Sequence, residues 1–219
     1  MNGAAGSTGS IIAQALGIAY VSGLSVYGTV AVLGLAVRAG WVATLPGALT
    51  GWTNNWIWAI SIVLYAVEFG ATLSRGFAPA WETIHSLVRP PAAAILAATI
   101  AWHRDPALIV LTSLSAGALA VTTHTTKLGV RYICATTGRF RWSATENLVE
   151  LAIVGIVAVM IWGHPYATLG LALVLLGAIV GRVQRIWRTL WEVFTGRWKP
   201  TSEFLQEPRL PSRRPELPK

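Results

Sequence analysis

The sequence predicts an all-α protein, a polytopic transmembrane helix bundle of about six helices, and three observations carry that prediction. Only 12% of the residues are charged and 54% are hydrophobic, whereas a soluble domain carries roughly 25% charged residues. Apolar runs such as residues 169–180 leave no room for a polar face, so the bilayer is the solvent that suits them. Tryptophans and turn formers punctuate these runs at intervals near the length that spans hydrocarbon.

The first apolar segment covers residues 11–37 and is rich in Gly and Ala. Pro46, Gly47 and Gly51 follow it as breakers. The second covers 55–73 and is closed by Arg75-Gly76 and Pro79. The third, 91–102, is short unless it extends back through 81–89. His103-Arg104-Asp105-Pro106 separates it from the fourth, 106–133. The fifth covers 144–162, Gly163-His164-Pro165 intervenes, and the sixth covers 166–186. A crossing needs about 20 residues, and only the third falls clearly short. Trp41, Trp52, Trp56, Trp58, Trp102, Trp142, Trp162 and Trp187 sit near segment ends, as expected of an interfacial aromatic belt.

Residues 1–10 form a short small-polar N-terminal segment without a basic region, so a cleaved signal peptide is not expected. Residues 11–190 are expected to form the transmembrane domain, with halves 11–103 and 106–190. Three crossings per half would set the halves in opposite orientations, the arrangement of an inverted repeat. Residues 191–219 read as a basic, Pro-rich cytoplasmic tail.

The net charge is +8, and its basic residues cluster beside apolar runs rather than along a soluble face. That distribution points to topology and anionic lipid headgroups and away from nucleic acid. Six crossings with both termini cytoplasmic put Arg75, Arg89, Arg131, Arg139 and Arg141 inside, leaving little beyond Arg38 and Arg104 outside. The positive-inside rule selects this orientation, and a bacterial inner (cytoplasmic) membrane is the expected location. Cys134 is the only cysteine, so neither an intrachain disulfide nor a cysteine metal site can form.

The polar residues inside the apolar segments are the candidate functional groups. Glu82, His85 and Arg89 are three and four residues apart, which places them on one helix face and lets Glu82 pair with His85. Pro90-Pro91 follows at once and reads either as an interfacial helix entering the membrane or as a polar site at a broken helix. His124, Lys127 and Arg131 again share a face, in a Thr-rich turn. Lys127 and Arg131 can snorkel to the interface, whereas His124 lies deeper. Glu68, Glu146 and Glu150 supply carboxylates. Buried charge tolerates a membrane only when paired, so Glu68 or Glu150 is expected to meet Lys127, Arg131 or Arg89. There is no nucleotide loop, His-Glu-x-x-His, nucleophile elbow or acidic metal cluster, and the expectation is a non-enzyme without cofactor or metal.

Several of these stretches resemble a bacterial membrane family known only as domain of unknown function 4126. The resemblance covers roughly residues 15–166. It rests on Gly-Leu-Ser-Val-Tyr at 23–27, Glu68, Trp-Glu-x-x-His-x-x-x-Arg-Pro-Pro at 81–91, and His124-x-x-Lys127-x-x-x-Arg131. The chain departs from the family pattern where an acid is expected shortly after Glu68, near Thr72, and where an acidic pair is reduced to Glu150 followed by Leu151. The resemblance implies architecture and motif positions and brings no activity with it. The residues themselves lead to a small transport or binding protein for an anionic small molecule or lipid headgroup. Its polar centre would comprise Glu68, Glu82, His85, Arg89, His124, Lys127, Arg131 and Glu150. The alternative is a structural or assembly subunit of a larger membrane complex, because the Pro-rich tail offers a docking segment and a Gly/Ala-rich first helix permits close helix contact; anionic lipids, a membrane protein complex or further copies in a homo-oligomer are the expected partners.

Overall fold

A computed structural model describes residues 7–43, 45–74, 77–136 and 143–194. The described residues form seven α-helices and one short 3₁₀ turn, with no strand. They are α1 (Thr8–Leu24), α2 (Val26–Arg38), α3 (Asn55–Leu73), α4 (Ala78–Ile100), α5 (Pro106–Thr136), α6 (Ser143–Gly163) and α7 (Pro165–Phe194). Asn55–Leu73, Pro106–Arg131 and Ala144–Gly163 are long and apolar enough to cross a membrane.

Two sequence expectations change. The first apolar segment is not one helix, because it breaks at Ser25 into α1 and α2, of 17 and 13 residues. Neither piece alone reaches the roughly 20 residues of a full crossing. Ser25 is extended (φ −153°, ψ 112°) and ends one helix while starting the next. Its hydroxyl accepts the Gly28 N–H at 3.0 Å, the N-capping bond that serine makes readily. The third segment, by contrast, is continuous from Ala78 to Ile100 and passes through Pro90 and Pro91. The proline pair therefore neither starts nor breaks a helix, which corrects the reading of a broken helix there. The two prolines give no N–H to the preceding turn, and Gly117 of α5 leaves room beside the Pro90 carbonyl, which an added Cβ would meet at 3.6 Å.

α1 is the inner helix. It packs on α4, α5 and α6, and most of its residues from Ala13 to Leu24 are buried. Its small residues make that possible: a Cβ on Gly23 would lie 2.9 Å from the Ala120 carbonyl, and one on Gly17 would strike Ile161. α7 joins the core through Ala172 and Leu176, and Tyr166 meets Ser7 at 3.0 Å. The polar tail expected from residue 191 begins as helix, since α7 continues to Phe194. The remainder, 195–219, lies outside the described residues, as do 1–6 and Arg139, Arg141 and Trp142.

The surface is inverted relative to that of a water-soluble protein. On α3 the buried side chains are Ser61, Glu68, Ala71 and Thr72, while Trp56, Ile60 and Val63 face out. On α4 Arg89 is 0% exposed and Leu87 is 79% exposed. Water would favour the opposite arrangement, and hydrocarbon favours this one. The chain is a membrane protein.

Candidate functional site

The residues that terminate α1 and start α2 set up the site. Within an uninterrupted helix the Leu24 carbonyl would accept the Gly28 N–H. Gly28 instead bonds Ser25 Oγ, and the Leu24 carbonyl accepts from Lys127 Nζ of α5 at 2.9 Å. The negative end of the α1 dipole therefore faces an ammonium. On the other side of the break, Ser25 Oγ donates to Glu68 Oε2 at 2.8 Å, bringing a carboxylate to the positive end of α2. The broken helix thus orients one cation and one anion.

Glu68 leads to the centre of the bundle. Its Oε1 accepts from Arg89 Nη2 at 2.5 Å, and Arg89 Nη1 lies 3.2 Å from Glu82 Oε2. Arg89 Nη1 also donates to His124 Nδ1. Arginine has donors only, so that ring nitrogen carries no proton. His124 Nε2 then holds the proton and donates to Ser86 Oγ at 2.8 Å, while the Ser86 hydroxyl donates to the Glu82 carbonyl at 2.9 Å. His124 is therefore a neutral spacer oriented from both sides. Glu82 Oε1 accepts from Arg131 Nη1. Arg131 Nη2 donates to Asn147 Oδ1 at 2.7 Å, and Asn147 Nδ2 donates to Thr72 Oγ1 at 2.6 Å. This cluster ties α3, α4, α5 and α6 together, and its two carboxylates balance its two guanidiniums.

Most of these residues are candidates on sequence grounds, and the structure rearranges their pairing. Glu82 does not pair with His85. His85 Nδ1 donates to the Trp81 carbonyl at 2.8 Å, and the Tyr27 hydroxyl donates to Nε2 at 3.2 Å. His85 stacks on Trp81 with ring centroids 4.4 Å apart, and it stands beside the ionic cluster rather than in it. Lys127 and Arg131 do not snorkel but turn inward onto carboxylates. Arg89 and Arg131, which the positive-inside count places in the inner connections, belong to the bundle interior. Ser25, Ser86 and Asn147 are not among the sequence candidates. Ser25 is signalled only as part of the Gly-Leu-Ser-Val-Tyr stretch, Ser86 only by standing beside His85, and Asn147 only by standing beside Glu146.

A second group lies three residues along α5 from His124. Lys127 Nζ is 2.6 Å from Glu150 Oε2. Glu146, one turn earlier on α6, reaches Arg131 Nε at 3.5 Å. This group borders a half-open cavity of about 330 Å³. Lys127, Glu146 and Glu150 line one part of it, and Leu24, Val149, Ile153 and Leu176 supply apolar walls. Tyr20 also lines the cavity, and its buried hydroxyl has no hydrogen-bond partner among the described residues. Arg89, Lys127 and Arg131 are thus each matched by carboxylates, and the two groups together have no basic surplus. Among the described residues, no group of three His, Cys, Asp or Glu side chains is placed to hold a metal.

No curated protein and no solved structure matches the chain. A family model described as "Domain of unknown function (DUF4126)" matches residues 12–185, a span that includes both ionic groups and the cavity. The chain belongs to that family.

Proposed function

We propose that this is a small membrane protein that binds, and by doing so transports or presents, an amphipathic molecule drawn from the bilayer. The observation that carries the reading is the cavity of about 330 Å³ with Lys127, Glu146 and Glu150 on an otherwise largely apolar wall. Its volume is at the small end of the roughly 300–1,000 Å³ of ligand sites, which suits one chain or ring system with a compact polar head. The discontinuity at Ser25 supports the same reading, because broken helices inside a membrane bundle are found where backbone ends meet ligands or ions. An inner-membrane location belongs to this proposal and rests on the arginines near the segment ends.

The subunit reading has lost one support. Gly17 and Gly23, which make the first helix attractive as a partner-facing surface, are covered by Ile161 and by Ala120 and Thr123 of the same chain.

The proposal is tested by purifying the protein in mild detergent and identifying the amphiphiles in its organic extract by mass spectrometry. Wild type should carry one species near stoichiometry, and Ile153→Trp, which fills the cavity, should deplete it at least tenfold. Equal amounts in both proteins would remove the cavity as the binding site.

A further inference from the structure

Side-chain contacts between helices fix which helix ends share a face of the bundle. Along α4, Glu82, Ser86 and Pro90 meet Arg131, His124 and Gly117 of α5 in that order, so the two helices are antiparallel. Lys127 and Arg131 of α5 meet Glu150 and Glu146 of α6, which makes that pair antiparallel as well. The end of α4, the start of α5, the end of α6 and the start of α7 therefore lie on one face. The start of α3 joins them, because Ala48, in the connection before it, donates its N–H to the Thr99 carbonyl at the end of α4 at 2.8 Å.

Both ends of the α1–α2 pair reach this same face. Ser7, the N-cap of α1, bonds the Tyr166 hydroxyl at the start of α7 at 3.0 Å. Further along, a Cβ on Gly17 would strike Ile161 of α6, and the Leu24 carbonyl meets Lys127. From there α2 turns back beside α3. Ser25 bonds Glu68 at 2.8 Å, a Cβ on Gly28 would lie 3.2 Å from Tyr65, the Trp58 indole N–H donates to the Ala31 carbonyl at 3.1 Å, and Arg38 donates to Asn55. The α3 partners fall from Glu68 to Asn55 as α2 advances to Arg38, so α2 ends on the face where α1 begins.

The lengths agree. Helices of 17 and 13 residues rise roughly 25 and 20 Å, less than the roughly 30 Å of hydrocarbon. A turn at that depth is tolerated only where protein encloses it and satisfies its backbone. Ser25 is 3% exposed, and Lys127 takes the Leu24 carbonyl that the turn leaves free.

We propose that α1 and α2 form a re-entrant hairpin, which dips into the membrane with its tip at Ser25 and returns to the same side, while α3 to α7 make five crossings. The connections on the hairpin's side carry Arg38 at their edge and Arg104 beside Asp105, whereas Arg75, Arg139 and Arg141 fall in the connections on the other side. The positive-inside rule makes the hairpin's side the outer one. The orientation expected from six crossings, with both ends inside, is revised at one point: the start of α1 moves outside, and every later connection keeps its side. The cavity is lined by the later half of α5, from Thr123 to Val130, and the earlier half of α6, from Thr145 to Ile153. It then lies in the inner half of the membrane beside the hairpin's tip, which contributes Leu24 to its wall. On the binding reading above, its ligand comes from the inner leaflet; the hairpin itself does not depend on that reading.

The probe is a membrane-impermeant maleimide applied to the full chain in right-side-out membrane vesicles, so no ligand is needed. In a Cys134→Ser background, three exposed positions are replaced singly: Thr8 at the start of α1, Thr50 after α2 and Ser74 after α3. Thr8→Cys and Thr50→Cys should label at least tenfold faster than Ser74→Cys, and permeabilisation should raise only Ser74→Cys. Labelling of Thr8→Cys and Thr50→Cys from opposite sides would overturn the hairpin. Protection of both, with Ser74→Cys labelled, would overturn the outer assignment while the hairpin stands. If the Thr8→Cys thiol is unreactive from either side, an epitope inserted before Thr8 replaces it. Antibody binding to sealed vesicles then supports the hairpin, and binding only after permeabilisation, with Thr50→Cys labelled from outside, overturns it.

Discussion

Arg89 and Lys127 are both cations turned into the interior of the same bundle, each facing carboxylates, yet their surroundings differ. Arg89 is fully enclosed, with Glu68, Glu82 and His124 around its guanidinium and Ser86, Arg131 and Asn147 extending the network. Lys127 is equally deep, but its partner Glu150 lies on a cavity wall and keeps 13% side-chain exposure. The first group has charge balance and a fully buried guanidinium, which suits a lock between helices. The second borders a cavity, which suits a site. Intramembrane charge of the same residue types thus occurs both in a sealed cluster and beside a cavity.

The comparison can be broken most forcefully at Arg89. Arg89→Met leaves Glu68 and Glu82 buried with no guanidinium between them. Removing one partner of a buried pair costs about 3–5 kcal/mol, to be read as a fall in unfolding free energy in mixed detergent micelles. Adding Glu68→Gln should return part of that loss. Lys127→Met sharpens the contrast from the other side. Glu150 then keeps its partial exposure beside the cavity, so the loss should be about 1–3 kcal/mol, the scale of hydrogen bonds to a charged group. Equal losses for the two variants would erase the distinction between lock and site.

Much of the inward-facing set is legible in the sequence, because charge inside apolar segments has few places to go. The pairs Glu68–Arg89 and Lys127–Glu150 fall within the combinations expected on those grounds. Which of several partners each residue takes is not legible. Glu82 passes over His85, one turn away on its own helix, for Arg89 and for Arg131 of α5, and helix spacing carries no information about a neighbouring helix. The break at Ser25 is hidden for a related reason. A serine in a Gly/Ala-rich run is tolerated in a helix, as Ser22 is within α1, and the break at Ser25 depends on Glu68 and Lys127 arriving from α3 and α5 to satisfy the freed groups. The proline pair misleads in the opposite direction, since local rules end a helix there and packing against α5 carries it through.

Thiol accessibility tests the central claim, that Lys127 borders an open site and Arg89 a closed lock. In a Cys134→Ser background, which removes the only native cysteine, two buried threonines are replaced singly. Thr126 lines the cavity at 5% exposure, and Thr72 bonds Asn147 in the closed cluster at 2%. Reactivity of a buried thiol follows access. The Thr126→Cys variant should react with a small permeant maleimide at least tenfold faster than the Thr72→Cys variant. Equal rates for the two variants would contradict the distinction.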